Sequence, residues 1–478
     1  MSPVSLIARD ELHMMARNRV AMIGIGLLLL LTMVAVVSAW AHQRGIAELR
    51  NRHAHVAETA FDAQPDRHPH RMVHYGTFIF RPLGPLAAFD PGVDAFTGSS
   101  MFLEGHRQNT ANFGDVRQSS LLIRFGQMTP AFMLQVVVPL LLIFLGYGAL
   151  ARETERGTLR MLLLQGVRRR QVVAGKLLAL GLLALIAGAP AIIGLVAMTE
   201  QPGALALPML VLAAGYAAYL ALWTALILLV SASAGRSRDA LLALTALWAV
   251  STILLPRAAA DLAGGAVPLT NRLQTDVAIA RDLRAMGDSH DPNDLHFAAF
   301  KQSVLDRYGV TRVEDLPLNY KGVVAVEGER LTSLLFNRYT AASFAAQERQ
   351  NAIVHTVSLF SPTIALRSLS MAAAGTNLEG HRQFLEQAES HRYALVQRLN
   401  AMQAQDVSYA DDTATDASAD RRKRVSGKNW QAMPEFRFVP PTTATLAGAA
   451  LPGLAVVSAW LILAVVLLGI ATSRLGAR

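Results

Sequence analysis

The chain reads as a mainly α integral membrane protein: six transmembrane helices carrying two extracytoplasmic insertions, the second largely helical. Three observations predict this. Apolar residues make up 52% of the 478 positions and charged ones only 17%, against about 25% charged in an ordinary soluble domain. Apolar runs near the 20 or so residues needed to cross a bilayer recur along the chain. Arginine and lysine gather at alternate ends of those runs, as orientation in a membrane requires. That placement accounts for the net charge of +9 without nucleic acid, which is not expected as a partner. There is no cysteine, which excludes a disulfide framework, a thiolate metal site and a cysteine nucleophile. The absence suits an oxidising compartment.

In chain order, residues 1–18 form a cytoplasmic interfacial helix, with Leu6, Ile7, Met14 and Met15 set among Arg9, Asp10, Glu11, His13 and Arg17. Residues 19–41 are the first span, uncharged from Val20 to Trp40. The rival reading is a signal peptide, with Arg17 and Arg19 as its basic region and cleavage near Val37-Ser-Ala-Trp-Ala; the run is long for one. Residues 42–129 form the first extracytoplasmic segment, rich in glycine and proline in its later part. Residues 130–150 are the second span, in which Pro139 predicts a kink whose freed carbonyl a neighbour must satisfy. Residues 151–176 form a charged cytoplasmic loop, and 177–199 the third span. Glu200 to Gly203 is a tight outer turn. Residues 205–231 and 240–256 are the fourth and fifth spans, joined by an inner loop carrying Arg236 and Arg238. Residues 257–446 form the second extracytoplasmic domain, with long amphipathic helices predicted over 324–359 and 378–404. Asp411 to Asp420 reads as mobile and low in complexity. Residues 447–473 are the sixth span.

The short loops fix the topology. Arg9, Arg17, Arg19, the arginines of 152–176, Arg236, Arg238, Arg474 and Arg478 fall on one side, whereas Glu200 to Gly203 carries no basic residue. The basic side is therefore expected to be cytoplasmic, with both termini there and both insertions outside.

The charged loop carries the clearest motif. Glu153-Thr-Glu155-Arg156-Gly157-Thr158-Leu159-Arg160 leads through apolar residues including Leu162 to Gly166-Val-Arg168-Arg-Arg170 and Gly175-Lys176. Leu159, Leu162 and Leu163 have helical spacing, so 153–165 reads as one short amphipathic helix. The pattern resembles the first cytoplasmic loop of type-2 ABC transporter permeases. Stretches at 80–109 and 355–385 resemble a subfamily with large extracytoplasmic insertions of unassigned function. The resemblance implies a coupling helix docked on a cytoplasmic ATPase subunit through Glu153, Glu155, Arg156, Gly157, Thr158, Leu159, Arg160 and Leu162. It further implies pairing with a second permease copy or homologue, a lipid environment, and a bacterial inner membrane.

Catalytic signatures are missing. The Gly-Lys candidate beside the charged loop, Gly175-Lys176, is followed by Leu177 and lacks the upstream glycine of a phosphate loop. ATP and its magnesium are therefore expected on the partner, with no cofactor on this chain, which is not expected to be an enzyme. No His-Glu-x-x-His or Gly-x-Ser-x-Gly occurs. The spans hold almost no charge, which disfavours ion-coupled transport. Tyr216, Tyr219, Trp223 and Thr224 read as pathway lining or as packing. His53 with His55, and His68 with His70, would share a face on a strand and chelate a metal with His74; on a helix they would diverge. Arg421 to Arg424 reads as a contact for anionic lipid or an acidic partner, or as a solvated loop. Two functions follow: an export-type permease driven through the coupling helix, or an ATP-driven mechanotransmission complex that acts on envelope partners and moves no cargo.

Overall fold

The computed structural model describes residues 2–111, 128–197, 199, 203–287, 291 and 294–475. Most of the predicted outer turn at 200–203 lies outside them, as does Arg478. Helix α1 (Pro3–Arg17) leads into α2 (Arg19–Asp62) and α3 (Pro69–Tyr75). Strands β1 (Thr77–Phe80) and β2 (Ser100–Leu103) pair antiparallel. Next comes a helix opening at Pro130–Phe132, passing through a π-turn at Met133–Val137 and continuing as α4 (Val138–Gly146). The short helices α5 (Ala151–Glu155) and α6 (Thr158–Leu164) precede α7 (Arg169–Ala197) and α8 (Ala206–Ser233). Helix α9 (Ser237–Ala249) runs through a second π-turn, Val250–Leu254, into α10 (Leu255–Ala266). The remaining long elements are α11 (Arg272–Met286), α12 (Leu295–Tyr308), α13 (Tyr320–Ser358), α14 (Pro362–Ala374), α15 (Leu378–Asp406) and α16 (Thr443–Arg474).

Among the described residues, six helical stretches are long and apolar enough to span a membrane: Arg19–Asp62, Pro130–Glu155, Arg169–Ala197, Ala206–Ser233, Ser237–Ala266 and Thr443–Arg474. The first runs well past the predicted end at residue 41. Its 44 residues reach about 66 Å at 1.5 Å per residue, twice a hydrocarbon core. The apolar run stops near Trp40, but helix-forming Ala, Glu, Gln and Arg continue, and no proline intervenes before Pro65. The fifth span likewise extends to Ala266 rather than 256.

Both π-turns lie just upstream of a proline, Pro139 and Pro256. Proline lacks the N–H that would bond the carbonyl four residues back, and its ring crowds that carbonyl. For Pro139 that carbonyl belongs to Gln135, and the Tyr219 hydroxyl donates to it at 2.9 Å. The Trp248 indole N–H donates to the neighbouring Val136 carbonyl at 3.1 Å. In the second π-turn the Ser251 carbonyl accepts from Ser361 Oγ at 2.8 Å. Side chains from other elements thus bond carbonyls in both π-turns, at Pro139 the one its ring leaves free.

Helix α14 corrects the predicted domain plan. It falls inside the segment assigned to a separate outer domain, yet Ala365, Leu366, Leu369 and Ala372 to Ala374 belong to the same buried core as the spans. It packs against α8, α16 and both π-turns. Two glycines make room: a Cβ on Gly215 would meet Leu369 Cδ1 at 2.6 Å, and one on Gly453 the Ala365 carbonyl at 2.6 Å. With 13 residues, α14 is too short to cross a bilayer and enters the bundle from one end.

The two insertions fold together. Phe61, Met72 and Val73 of the first share a core with Leu395, Val396, Leu399, Val425 and Trp430 of the second. Ile79, Met101 and Leu103 of the hairpin pack on Phe384 and Ala388. The stretch Asp411 to Asp420, expected to be mobile, instead forms part of short helices at Tyr409–Thr413 and Ala419–Arg422. Buried Asp412 accepts from Asn319 and Gln403 at 2.8 and 2.9 Å. Arg422 pairs with Asp411 and Asp416, and Arg424 with Asp420, so the basic cluster finds its acidic partner within the chain.

Candidate functional site

The segment between α4 and α7 is two helices, not the single helix expected over 153–165. Gly157 stands between them at φ +74°, a left-handed conformation that glycine adopts without steric cost and that ends α-helical propagation. The break turns the two halves to different tasks.

The first half is anchored. Ser231 Oγ, on α8, accepts from the Leu150 and Ala151 N–H groups at 2.9 and 3.0 Å, satisfying donors at the start of α5 that have no helical partner. Glu153 turns inward: its Oε1 accepts from Lys176 Nζ at 3.2 Å, and Lys176 also reaches Glu11 Oε2 at 2.7 Å. Lys176 and Glu11 are buried. Thr158 Oγ1 donates to Glu153 as well. Glu155 accepts from the Ser237 N–H and hydroxyl at 3.2 and 2.8 Å, tying the segment to the start of α9. One lysine thereby joins the N-terminal helix, the loop and the third span.

The second half is presented to solvent. In α6 Leu159 is buried and Leu162 half-buried, while Arg160, Met161 (61% exposed) and Leu164 (80% exposed) face outward with Arg156. An exposed methionine and leucine beside two arginines make an apolar patch with a cationic border, the character of a protein-docking surface. Of the sequence-predicted residues, Arg156 and Arg160 lie on that surface and Leu159 beneath it; Glu153 and Glu155 hold the segment in place. Sequence reasoning missed Glu11, Ser231 and Ser237, and placed Lys176 in the loop only as a motif match. A lone lysine at the head of an apolar run was the available signal, because a buried charge needs a partner.

Tyr216, Tyr219, Trp223 and Thr224 are all buried on α8. The Tyr216 hydroxyl accepts from Gln135 Nε2 at 2.7 Å and bonds Ser370 Oγ at 3.0 Å. The Tyr219 hydroxyl bonds Thr363 Oγ1 at 3.0 Å. These bonds stitch α14 to the fourth span and the first π-turn, which is packing geometry.

The histidines are placed on helices, so the strand reading is corrected. His53 and His55 lie exposed on α2, where i and i+2 point apart. His68 caps α3: its Nδ1 accepts from the His70 N–H at 3.1 Å, and its Nε2 meets Asp412 Oδ1 at 3.1 Å. His70 and His74, four apart on α3, bring their Nε2 atoms to 3.1 Å, and His106 joins them. Burial and the neighbouring imidazoles push His70 down to about 4 and lower His74 in the same sense, so both rings are neutral at pH 7. His106 had no spacing signal, being far from His74 in sequence.

A cavity of about 700 Å³ opens between α13, α14, α15 and the sixth span. Ala365, Met371, Ala372, Pro452 and Val456 line it together with Glu348, Glu379 and Arg382.

With this geometry in view, two family models match. Residues 106–206, from the turn after β2 through the second and third spans, match a family described as ABC-2 membrane transporter related. Residues 272–439 match one described as a domain of unknown function (DUF3526). The second and third spans are thus similar to ABC-2 membrane transporters, and most of the second insertion matches that domain of unknown function. A comparison with curated proteins gives no match.

Proposed function

We propose that this chain is the membrane subunit of an export-type ABC transporter, paired with a second permease and driven by a separate cytoplasmic ATPase that docks on α6. ATP and magnesium bind the ATPase, and this chain supplies no catalysis. The observation that carries the reading is the division of labour at Gly157: α5 is tied to three spans and α1, while α6 offers Arg160, Met161 and Leu164 outward. A push on α6 reaches the spans through short, directional bonds. In this reading the segment lies on the cytoplasmic face of a bacterial inner membrane, with both termini there and the joined insertions outside; the basic residues around it support that orientation. The cavity beside α14, lined by both apolar and charged side chains, suits an amphipathic cargo.

A second reading, mechanotransmission without cargo, is favoured by α14, which bonds the spans directly to the outer domain through Tyr216, Tyr219 and Ser361. Movement of the spans would be passed outward along it.

The test is co-purification of the ATPase subunit in mild detergent, followed by flux into inverted vesicles. Arg160→Glu with Leu164→Asp should abolish ATPase recovery while leaving thermal stability unchanged, since both side chains are exposed. Undiminished recovery would overturn the docking assignment. ATP hydrolysis without flux of any amphipathic substrate would favour the second reading.

A further inference from the structure

We propose that His70, His74 and His106 form a binding site for a divalent late transition-metal ion of the zinc class, at the seam between the two insertions. The site is independent of the transport reading. Candidate ligand atoms of all three residues lie within 4.8 Å of one another. The His70 and His74 Nε2 atoms are 3.1 Å apart. Two imidazole nitrogens on a tetrahedral metal at about 2.05 Å stand roughly 3.4 Å apart, so this pair is already at the separation a shared ion imposes. His106 lies within the same 4.8 Å, and its side chain is 36% exposed.

The backbone at His106 is the second observation. His106 sits at φ +60°, the sole non-glycine residue at positive φ among those described, in a tight turn bridged by Glu104 and Arg107. Glycine fits that conformation freely, whereas a residue with a Cβ adopts it at a cost of about 1–2 kcal/mol, which histidine tolerates better than most. The conformation is held by a 2.9 Å hydrogen bond from the His106 N–H to Glu329 Oε2. A costly residue kept in place by a buried carboxylate points to use of its side chain. The same carboxylate lies 3.4 Å from His106 Nδ1. Coordination through Nε2 would leave Nδ1–H facing Glu329, the carboxylate–histidine–metal arrangement that orients a ligand and raises its basicity.

The donor set selects the metal. Three imidazoles with no carboxylate or thiolate suit zinc, copper or nickel over magnesium or calcium. With His74 exposed and His70 and His106 half-buried, a fourth position is left for water or an exchangeable ligand. All three ligands belong to the first insertion and Glu329 to α13 of the second, so a bound ion would fix His106 in the orientation that contacts the second.

The test uses the full chain in detergent, free of any affinity tag and stripped with a chelator. Zinc titration by calorimetry is paired with metal counting, and with the visible spectrum of the cobalt-loaded protein. The expected result is one ion per chain and a rise in melting temperature on loading. His74→Gln, and His106→Asn, which tolerates positive φ, should each weaken binding by about 100-fold. His53→Gln with His55→Gln should leave it unchanged. A folded wild-type chain that takes up no zinc, or variants that bind as tightly as wild type, would overturn the assignment.

Discussion

The molecule contains two buried knots of charge that share a formula and differ in build. At the loop end, Lys176 stands between Glu11 and Glu153. In the insertion domain, Arg392 stands between Glu329 and Glu389 at 2.6 and 2.7 Å. Each is one cation between two carboxylates, yet Arg392 is a rigid fork. It also donates to Ser333 Oγ and to the Glu104 carbonyl, and its side chain is 1% exposed. Despite burial, Glu329 is held below the usual carboxylate range by His106 and by the Arg392 charge. Lysine is a point charge on a flexible stem with no fixed fork geometry. It joins a short loop helix, an N-terminal helix and a span, rather than two long packed helices. The difference teaches that the same ion chemistry serves as a weld where the geometry is bidentate and enclosed, and as a joint where it is single-pronged and at an element's end.

The largest expected effect lies at the weld. Arg392→Ala strands two buried carboxylates, which typically costs about 3–5 kcal/mol when one partner of a buried pair is removed. The insertion domain should become protease-sensitive at ordinary temperature, while ATPase co-purification, which the proposed docking assigns to the loop end, persists. Loss of both together would show that the two knots are not separable.

The insertion domain should also lose stability in acid, through a named group. Burial and the adjacent Arg81 push His381 down to about 4. Its folded value lies below the unfolded one near 6.5, so the unfolded chain binds the proton first. Stability is fully present above pH 6.5 and falls as pH drops toward 4, by up to about 3 kcal/mol. Proteolysis of the insertion domain across that window reads the effect, and His381→Leu should flatten the slope. An unchanged slope in that variant would assign the acid sensitivity elsewhere.

How much of this was legible in the sequence follows from the range of each signal. The spans announce themselves because a bilayer demands local apolar runs. The long helices of the second insertion were read to within a few residues, 324–359 against Tyr320–Ser358 and 378–404 against Leu378–Asp406, because their periodicity is also local. Helix α14 was misplaced because 13 residues cannot span, and nothing local distinguishes a core helix outside the membrane from one wedged into a bundle. The charged loop was legible as a unit, but its break was not weighted: Gly157 was read as a motif letter rather than as a backbone stop. The wiring was invisible. Glu11 and Lys176, Gln135 and Tyr216, and His74 and His106 are partners that only the tertiary fold brings together.

The smallest of these effects in stability, and the most informative for function, lies at the joint. Lys176→Met leaves Glu11 and Glu153 without their cation, but Glu153 is partly exposed and can turn to water. The cost should therefore be about 1–3 kcal/mol, that of unpaired polar groups rather than of a sealed ion pair. The insertion domain should stay folded and ATPase should still dock on α6, yet stimulation of ATP hydrolysis by substrate should fall, because α5 is no longer tied to the third span. Replacing the whole knot, with Lys176→Met, Glu11→Leu and Glu153→Met together, should restore stability, as apolar substitution of buried ion clusters often does. If the restored protein also regains stimulated hydrolysis, the knot is only packing and the joint must lie elsewhere. If stability returns and coupling does not, the lysine transmits motion, which a packing role would not require.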